Sequence, residues 1–532
     1  MDGRTVIQWD KDDCADLGII KVDLLGLGMM AVLEETIPLV QEHEGVALDL
    51  AHLPPDDPQV YAMLRQADTI GVFQVESRAQ MATLPRMQPE RFYDLVVEVA
   101  IIRPGPIVGQ MVHPYLNRRA GREEVVYPHP SLEPILRRTL GVPIFQEQLL
   151  RIAMVAAGFT GGEAEELRRA MGFKRSVERM AQIEEKLRRG MTERGITGAA
   201  QEEVVRGITS FALYGFPESH SASFALIAYA SAYLRAHHPA AFLAGMLNAF
   251  PLGFYSPATL VKDAQRHGVC VLPIDAARSE WRCTLETCTA SGPLVRIGLR
   301  YVRGFSADAG ARLVAARANA PFASLADFAA RVAPKRHELD ALAEAGALAG
   351  IDPGACERRS ALWQASALER DPRSLFAGVP PRDAEAPSPL EALDPLETTL
   401  ADYRSTGLTT GPHVMAHLRP VLRRRGVLSA AELRSTPNGR FVRVAGHVIV
   451  RQRPGSAKGF CFVTLEDETG TTNGVFTPAQ FERLRGPLHE AKLVEIAGPL
   501  QNVDGVIHVR VREVRPLTGA SAESSPSSHD YH

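Results

Sequence analysis

Apolar and polar positions follow two different patterns along this chain. From Ala31 to about Asn248 the apolar residues recur with helical spacing, and three such stretches are 132–140, 146–157 and 163–171. Beyond residue 440 apolar and polar residues alternate, as in 442–450 and 460–465, which is typical of a small β-barrel. The sequence therefore predicts a multidomain protein that is mainly α-helical and has a C-terminal β-barrel.

Shorter segments lie before, between and after the predicted helical part and the predicted β-barrel. Residues 1–30 indicate a polar loop, including the run from Asp10 to Asp16, followed by one short strand and a Gly-containing exit at 26–28. A strand is predicted to end at Asp275, and two similar helical halves follow within 296–350. The other segments are a Pro-rich linker at 370–400 and a Ser-rich, disordered tail at 518–532.

Composition narrows the function classes. The chain has 532 residues, of which 45% are hydrophobic and 23% charged, and its net charge of -3 excludes a uniformly basic surface. The 59 basic residues are mostly Arg, which favours bidentate phosphate contacts or reflects genomic base composition. The six Cys form no Cys-x-x-Cys pair, and no run of about 18 apolar residues occurs. We expect a cytoplasmic protein with free thiols, no zinc site and no membrane contact.

Lys21 and Asp23 end the short strand and are two residues apart, so their side chains share a face. The carboxylate suits a metal ion and the ammonium a phosphate, although a strand-end salt bridge explains the pair equally. Two-metal phosphoryl transfer needs several converging carboxylates. One Asp cannot hold two ions, so we expect no two-metal phosphoryl transfer from this chain alone.

Two further groups of basic residues suit phosphates. Arg103 precedes the stiff turn Pro104-Gly105-Pro106, which favours a triphosphate clamp or, alternatively, a helix-end Arg facing the carbonyl dipole. Arg168, Arg169 and Lys174 lie in a strongly basic stretch of eight residues. That stretch fits contact with a nucleic-acid backbone or a plain solvated helix face.

Ser219, His220 and Ser221 follow Pro217 at the predicted start of a helix. A helix N-terminus with hydroxyl side chains favours anions, whereas the same hydroxyls also serve as helix caps. Capping and anion binding are compatible here.

Arg303, Gly304 and Phe305 end a Gly-hydrophobic-Gly-like turn that begins at Gly298 and precedes a helix. This pattern is similar to a helix-hairpin-helix motif, in which backbone N–H groups face DNA phosphates. Ser306 stands where that motif has a further Gly, and a plain helical hairpin is the alternative.

The β region combines aromatic and basic residues. Residues 440–515 carry 11 Lys and Arg against 8 Asp and Glu. The candidate contacts for single-stranded DNA are Arg451, Arg453, Lys458, Phe460 and Phe462, whereas several Phe, including Phe476 and Phe481, are alternatively core residues.

Together these segments resemble the bacterial C-family replicative polymerases, the DNA polymerase III alpha subunits. The resemblance covers nearly the whole chain in order. It rests on the strings 8–16, 21–26, 71–81, 103–106, 145–148, 168–174, 218–224, 451–459 and 464–470. Ala79-Gln80-Met81, the run 111–115 and the aromatic-His ending favour the damage-inducible, error-prone branch.

The resemblance implies a fold class and site roles. The implied domains are the end of the palm at 1–30, fingers at 31–275, tandem helix-hairpin-helix motifs at 276–350, a linker and helical connector at 351–439, an OB-fold at 440–516 and a disordered tail at 517–532. Asp23 would be the third catalytic carboxylate and a ligand of Mg²⁺. The residues implied to line the nucleotide and template channel are Lys21, Arg103, Arg168, Arg169, Lys174, Ser219, His220 and Ser221.

The resemblance also implies partners and leaves alternatives. Primer-template DNA and dNTPs would be the ligands, with accessory translesion proteins, and through them the sliding clamp, as further partners. The two upstream carboxylates of the palm are expected to lie outside this chain, which would be the C-terminal portion of a translesion and repair polymerase. One half of a split polymerase, a non-catalytic DNA-binding module and a truncated gene product remain alternatives.

Overall fold

The computed structural model describes residues 8–9, 11–20, 24–102, 108–172, 177–211, 216–288, 292–351, 357–368, 388–517 and 528–531. Its first part is helical. The helices are α1 (Lys11–Asp16), α2 (Leu27–Glu44), α3 (Pro58–Arg65), α4 (Arg78–Met87), α5 (Phe92–Ile101), α6 (Val108–Arg119), α7 (Glu133–Leu136), α8 (Gln146–Ala157), α9 (Gly161–Gly172), α10 (Val177–Glu193), α11 (Gly198–Phe211), α12 (Glu218–His237), α13 (Pro239–Ala249) and α14 (Pro257–Arg266).

Helix α12 lies at the centre of this helical part. Its small buried residues Ala225, Ala228 and Ala232 let neighbouring helices approach it closely. The Ser221 hydroxyl donates a hydrogen bond of 2.6 Å to the Val96 carbonyl of α5. A Cβ at Gly245 of α13 would lie 2.3 Å from the Thr36 hydroxyl of α2, so Gly is needed where these helices meet.

A small sheet and a second helical unit follow. Strands β1 (Val271–Leu272), β2 (Thr284–Cys288) and β3 (Gly292–Arg296) form a sheet in the order β1-β3-β2. The sequence patterns did not predict β2 and β3. The later helices are α15 (Ala307–Asn319), α16 (Leu325–Val332), α17 (Arg336–Glu344), α18 (Arg358–Ala367), α19 (Pro395–Ser405), α20 (Val414–Arg424) and α21 (Ala430–Arg434).

The C-terminal domain is a closed β-barrel. Its elements are β4 (Phe441–Gln452), β5 (Cys461–Asp467), β6 (Gly470–Phe476), α22 (Pro478–Glu490), β7 (Leu493–Val503), β8 (Val506–Arg510), β9 (Glu513–Pro516) and β10 (His529–Tyr531). The strand order is β10-β4-β5-β6-β8-β7-β9, and a further β4–β7 pairing closes the barrel. Long strand β4 changes partner from β7 to β5 at His447. Phe476 and Phe481 are buried in the barrel core, as the core alternative proposed.

The predicted fold class, mainly α-helical with a C-terminal barrel, is confirmed. Two local predictions are wrong. Residues Lys11–Asp16 form helix α1 rather than a loop, since the Leu17 N–H donates to the Asp13 carbonyl to close a turn. The predicted disordered tail ends in β10, which pairs in parallel with the end of β4 because that strand offers an open edge there. None of the helices in the described ranges is long and apolar enough to cross a membrane.

Buried polar contacts join the barrel to helix α14. The Glu466 carboxylate of β5 is 1% exposed and accepts hydrogen bonds from the Arg266 guanidinium at 2.9 Å and the Thr259 hydroxyl at 3.0 Å. The neighbouring Asp467 carboxylate pairs with Arg419 of α20 at 2.9 Å. The ammonium of Lys262 donates to the Gly411 carbonyl between α19 and α20. Helix α14 therefore links the barrel and the connector to the helical part.

Gly190 allows α10 to cross α8. A Cβ at this position would lie 2.1 Å from the Ala157 carbonyl oxygen, so Gly190→Ala forces the backbones apart. We expect a loss of ~1–3 kcal/mol in the free energy of unfolding, measured by chemical denaturation. Gly162 of α9 has no atom within 4 Å of the position that a Cβ would take, so Gly162→Ala is the matched control. The control should gain ~0.5–1 kcal/mol from helix propensity, and equal effects of both changes would contradict the packing argument.

Candidate nucleic-acid interface

A cleft of about 1440 Å³ lies between the helical part and the barrel. Helix α4 and the end of α6 form one wall, and strands β5, β6 and β8 form the other. Its two lining acidic residues are Glu90 and Asp504. Its nine lining arginines are Arg65, Arg78, Arg86, Arg91, Arg118, Arg119, Arg122, Arg434 and Arg510. Such an excess of guanidinium groups attracts anions.

Phe460 and Phe462 line this cleft together with Arg78. The Arg78 guanidinium lies 4.6 Å from the centre of the Phe462 ring and donates a hydrogen bond of 3.2 Å to the Asn473 side-chain oxygen. Phe460 keeps 36% of its surface exposed. Exposed aromatic rings beside guanidinium groups are the usual elements of a single-strand binding surface.

Contacts across one rim of the cleft involve the β7–β8 hairpin. Asp504 and Gly505 have positive φ values of 52° and 79°, which give a tight turn. The Asp504 carboxylate accepts two hydrogen bonds from Arg122, at 2.7 and 3.0 Å. A Cβ at Gly505 would lie 3.3 Å from Pro85 of α4. The hairpin therefore rests on the helical part.

The basic character of the cleft also affects a histidine. Burial and the charges of Arg78, Arg86 and Arg510 lower the pKa of His508 to about 4. The ring stays neutral at physiological pH, with Nε2 lying 2.8 Å from the Gln501 side-chain oxygen. A hydrogen-bonding but uncharged side chain thus lies amid three cations.

The other predicted barrel contacts lie away from the cleft lining. Arg451 donates to the Leu488 and Ala491 carbonyls at 2.8 and 3.3 Å, which ties β4 to the C-terminal end of α22. Arg453 lies 4.8 Å from the centre of the Phe481 ring and 3.5 Å from Glu482. Lys458 is exposed and has a φ of 50° in the turn before β5.

The predicted hairpin residues have distinct environments. The Arg303 backbone N–H donates to the Ser405 carbonyl at 2.8 Å, and its guanidinium donates to the Arg404 carbonyl at 3.1 Å. Gly304 has a φ of 84°, a conformation that favours Gly. Phe305 is buried in the core. Helix α19 therefore contacts this hairpin through Arg303.

The two serines at the start of α12 differ in exposure and in hydrogen bonding. Ser219 is exposed, whereas the buried Ser221 hydroxyl is bound to α5. The His220 ring lies between Phe216 and Phe224, at centroid distances of 5.0 and 4.2 Å. Only Ser219 and His220 of the three predicted residues thus remain partly open to solvent.

An aromatic row links this helix to the turn after Asp23. Phe224 lies 5.4 Å from Phe73, and a Cβ at Gly26 would lie 3.3 Å from the Phe73 ring. The turn therefore packs on the same helix that carries Ser219 and His220.

Several other predicted site residues lie outside the described residues, namely Lys21, Asp23, Arg103, Lys174 and the side chain of Arg169. Arg168 is exposed and pairs with Glu165 at 2.6 Å.

One described group has the ligand spacing of a metal site: Asp68, Asp263 and His267. The Arg235 guanidinium already donates to both carboxylates at 2.7 Å, and His267 lies 2.6 Å from Asp68. A cation between the carboxylates and an imidazole ligand do not fit Mg²⁺, which prefers oxygen ligands. This cluster is an ion-pair network of the fold.

Sequence reasoning missed most of the arginines in the cleft. Arg118, Arg119 and Arg122 are close together in the chain, and this density is a signal that was available. Arg78 and Arg86 are isolated in sequence and gave no such signal. Only the packing of the barrel against α4 brings them together with Arg510.

Comparisons with known proteins agree with these domains. The bacterial DNA polymerase III alpha subunit finger domain matches residues 29–195, a helix-hairpin-helix motif matches 268–361, and an OB-fold nucleic acid binding domain matches 442–517. The chain therefore belongs to the bacterial DNA polymerase III alpha subunit family, and its barrel is an OB-fold.

Within that family the chain is similar along its length to proteins named error-prone DNA polymerase. It is 48% identical to the protein of Anaeromyxobacter sp. (strain K), over 100% of this chain and 48% of the relative. It is 49% identical to the protein of Methylococcus capsulatus, over 96% of this chain and 50% of the relative. It is also 49% identical to the protein of Bordetella bronchiseptica, over 100% of this chain and 51% of the relative. The chain spans about half the length of the curated relatives that it matches.

Proposed function

We propose that this chain is the part of an error-prone DNA-directed DNA polymerase that holds primer-template DNA and the incoming dNTP. The parent enzyme would act in the cytoplasm, in translesion synthesis and DNA repair. Accessory translesion proteins, and the sliding clamp through them, would be its partners. The observation that carries this proposal is the cleft between the finger domain and the OB-fold, with nine arginines and two acidic residues.

The chemistry of the cleft supports an unpaired strand. Its arginines suit backbone phosphates, and Phe460 and Phe462 offer faces on which bases stack. The β7–β8 hairpin contacts the finger domain at one rim, which narrows the opening. The template strand is therefore the ligand that we assign to this cleft.

Nucleotide transfer is assigned to a different place. Asp23 would bind Mg²⁺, and the residues proposed around the nucleotide are Lys21, Arg103, Arg168, Arg169, Lys174, Ser219 and His220. The packing of the Gly26 turn against Phe73 and α12 supports a shared location for Asp23 and Ser219. Catalysis of this kind rests on positioning and charge stabilisation. The Ser221 hydroxyl orients α12 rather than touching substrate, because it is buried on α5.

Binding of a labelled thymidine oligonucleotide tests the cleft. We expect tight binding at low salt that weakens as salt rises, with a slope of about −0.7 per phosphate contacted. Binding should not require Mg²⁺ and should persist in EDTA, because arginine side chains make the proposed phosphate contacts. A duplex of the same length should bind more weakly. Absence of binding at low salt would contradict the proposal.

Primer extension with Mg²⁺ and four dNTPs tests catalysis by this chain. We expect background extension from both the wild-type chain and Asp23→Ala, because two-metal transfer needs carboxylates beyond Asp23. Extension that disappears in Asp23→Ala would show that other carboxylates of this chain complete the metal site.

A second candidate function, one half of a split polymerase, is favoured by several exposed apolar side chains close together in the sequence. These residues are Leu17, Ile20, Leu24, Leu25 and Leu27, and they are 59%, 85%, 66%, 61% and 56% exposed. Apolar side chains that gather at a surface favour a protein contact. Co-expression with a chain that supplies the remaining carboxylates should give a stable complex that extends primers. Two chains that elute separately and stay inactive when mixed would exclude this candidate.

A further inference from the structure

Arg78, Arg86 and Arg510 are among the cleft arginines that lack an acidic partner. No ion pair within the described part of the chain includes Arg78, Arg86 or Arg510. The Arg86 Nε atom is buried and makes no hydrogen bond. The Asp504 carboxylate is within electrostatic reach of Arg86, but it already accepts two hydrogen bonds from Arg122. These guanidinium groups thus carry charge that the fold does not neutralise.

The three guanidinium groups line the same cleft. Each of them acts electrostatically on the His508 ring. His508 and Arg510 are two residues apart on β8 and therefore share a face. Arg78 reaches Asn473 of β6, the strand that pairs with β8 at Arg510. Two domains therefore supply the cluster, α4 from the fingers and β8 from the OB-fold.

Uncompensated cations favour an anion, most of all where they are partly removed from water, as Arg78 and Arg86 are whereas Arg510 is exposed. Such a cluster costs free energy through charge repulsion and lost hydration. A phosphate accepts bidentate hydrogen bonds from Arg and offsets both costs. The neutral His508 ring adds no further positive charge, and its one N–H is donated from Nε2 to the Gln501 side-chain oxygen.

We propose that Arg78, Arg86 and Arg510, beside the neutral His508 ring, form an anion subsite that binds one backbone phosphate of a single-stranded nucleic acid. This subsite rests on the proposed function, because it assigns one contact within the cleft. A strand is favoured over a free polyphosphate because Phe462 lies directly beneath Arg78 and Phe460 is exposed nearby. A base next to the bound phosphate has a ring to stack on.

A consequence follows for the docking of the two domains. The phosphate contacts α4 and β8 at once, so it binds the docked arrangement more tightly than a separated one. Any ligand that prefers one state stabilises that state. Strand binding should therefore protect the fingers–OB contact, for example by slowing hydrogen exchange in the β7–β8 hairpin.

The test compares Arg86→Gln/Arg510→Gln with wild type, using a fluorescein-labelled thymidine oligonucleotide of about twelve nucleotides. We expect about tenfold weaker binding at low salt and a salt slope that is smaller by about one. Arg137→Gln is the matched control, because Arg137 is exposed and pairs with Glu133 outside the cleft. It should leave affinity and slope unchanged. Arg86→Lys/Arg510→Lys keeps the charge and should retain the slope.

The outcomes of this experiment distinguish failure of the subsite from failure of the proposed function. Wild-type binding that the double Gln variant keeps, with the same slope, would overturn the subsite alone. Absence of wild-type binding would overturn the proposed function and the subsite together. Sodium pyrophosphate at matched ionic strength should not displace the strand more strongly than sulfate does, and strong displacement would assign the site to free polyphosphate instead. Unchanged thermal midpoints of the variants would exclude misfolding as the cause of weaker binding.

Discussion

Arg266→Ala should destabilise the docking of the OB-fold by ~3–5 kcal/mol, the usual cost of leaving a buried charge without its partner. The Glu466 carboxylate is 1% exposed, and its ion pair with Arg266 at 2.9 Å spans α14 and β5. The other hydrogen-bond and ion-pair partners among the described residues are the Thr259 hydroxyl and His413, whose Nε2 lies 4.0 Å away, and the Lys262 ammonium acts on the carboxylate without a direct contact. Burial lowers the pKa of His413 well below its ordinary value, so this ring is neutral and does not replace the lost charge.

Urea denaturation, together with hydrogen exchange in β5, measures this effect. The exposed pair Arg137–Glu133 provides the control, since Arg137→Ala should cost less than about 1 kcal/mol. Arg266→Met combined with Glu466→Met should recover most of the loss, because both charges are then removed. A single variant that is as stable as wild type would show that water reaches Glu466 and that the junction is not dry.

Glu76→Gln should change how stability depends on pH. The Glu76 carboxylate is buried, accepts hydrogen bonds from the Gly71 and Phe254 N–H groups at 3.0 and 3.2 Å, and has a pKa raised by burial to about 7. The folded protein therefore holds this proton to a higher pH than the unfolded chain, whose value is 4.5. The contribution of the Glu76 carboxyl group to stability is therefore largest below pH 4.5 and is lost as the pH rises to about 7.

The measurement is the free energy of unfolding of wild type and Glu76→Gln across this pH range. Gln does not titrate, so the stability of the variant relative to wild type should rise by ~3 kcal/mol from the acidic to the neutral end. Glu133→Gln, at an exposed site, should show no such trend. A constant difference between wild type and Glu76→Gln would mean that Glu76 is already ionised when buried.

Local patterns were sufficient for elements that depend on local spacing. Helix α8 spans Gln146–Ala157, the stretch that periodicity predicted, because its apolar residues repeat on one face. In β5 the buried residues Cys461, Val463 and Leu465 alternate with Phe462 and Thr464. This alternation alone places Phe462 on the outer face of the barrel, where the structure has it beneath Arg78.

Only part of the candidate site could be predicted from the sequence. The walls of the cleft are far apart in the chain, as the Arg122–Asp504 pair illustrates with a separation of 382 residues. No window of local pattern relates such positions. The described contacts of Arg451 and Arg453 are with the barrel itself, and their binding to nucleic acid stays a prediction. The role of Asp23 stays a prediction that rests on family resemblance.

The contacts of α14 with three domains also limit which domains of this protein can be isolated. Arg266 pairs with the barrel, Lys262 bonds to the connector, and Asp263 pairs with Arg235 within the fingers. One helix thus makes three domains mutually dependent, although each has its own sequence signature. The OB-fold is not a portable module: a barrel excised at residue 440 would keep Glu466 without Arg266. Chimeras that exchange barrels between polymerases of this family should succeed when α14 and the barrel come from the same parent.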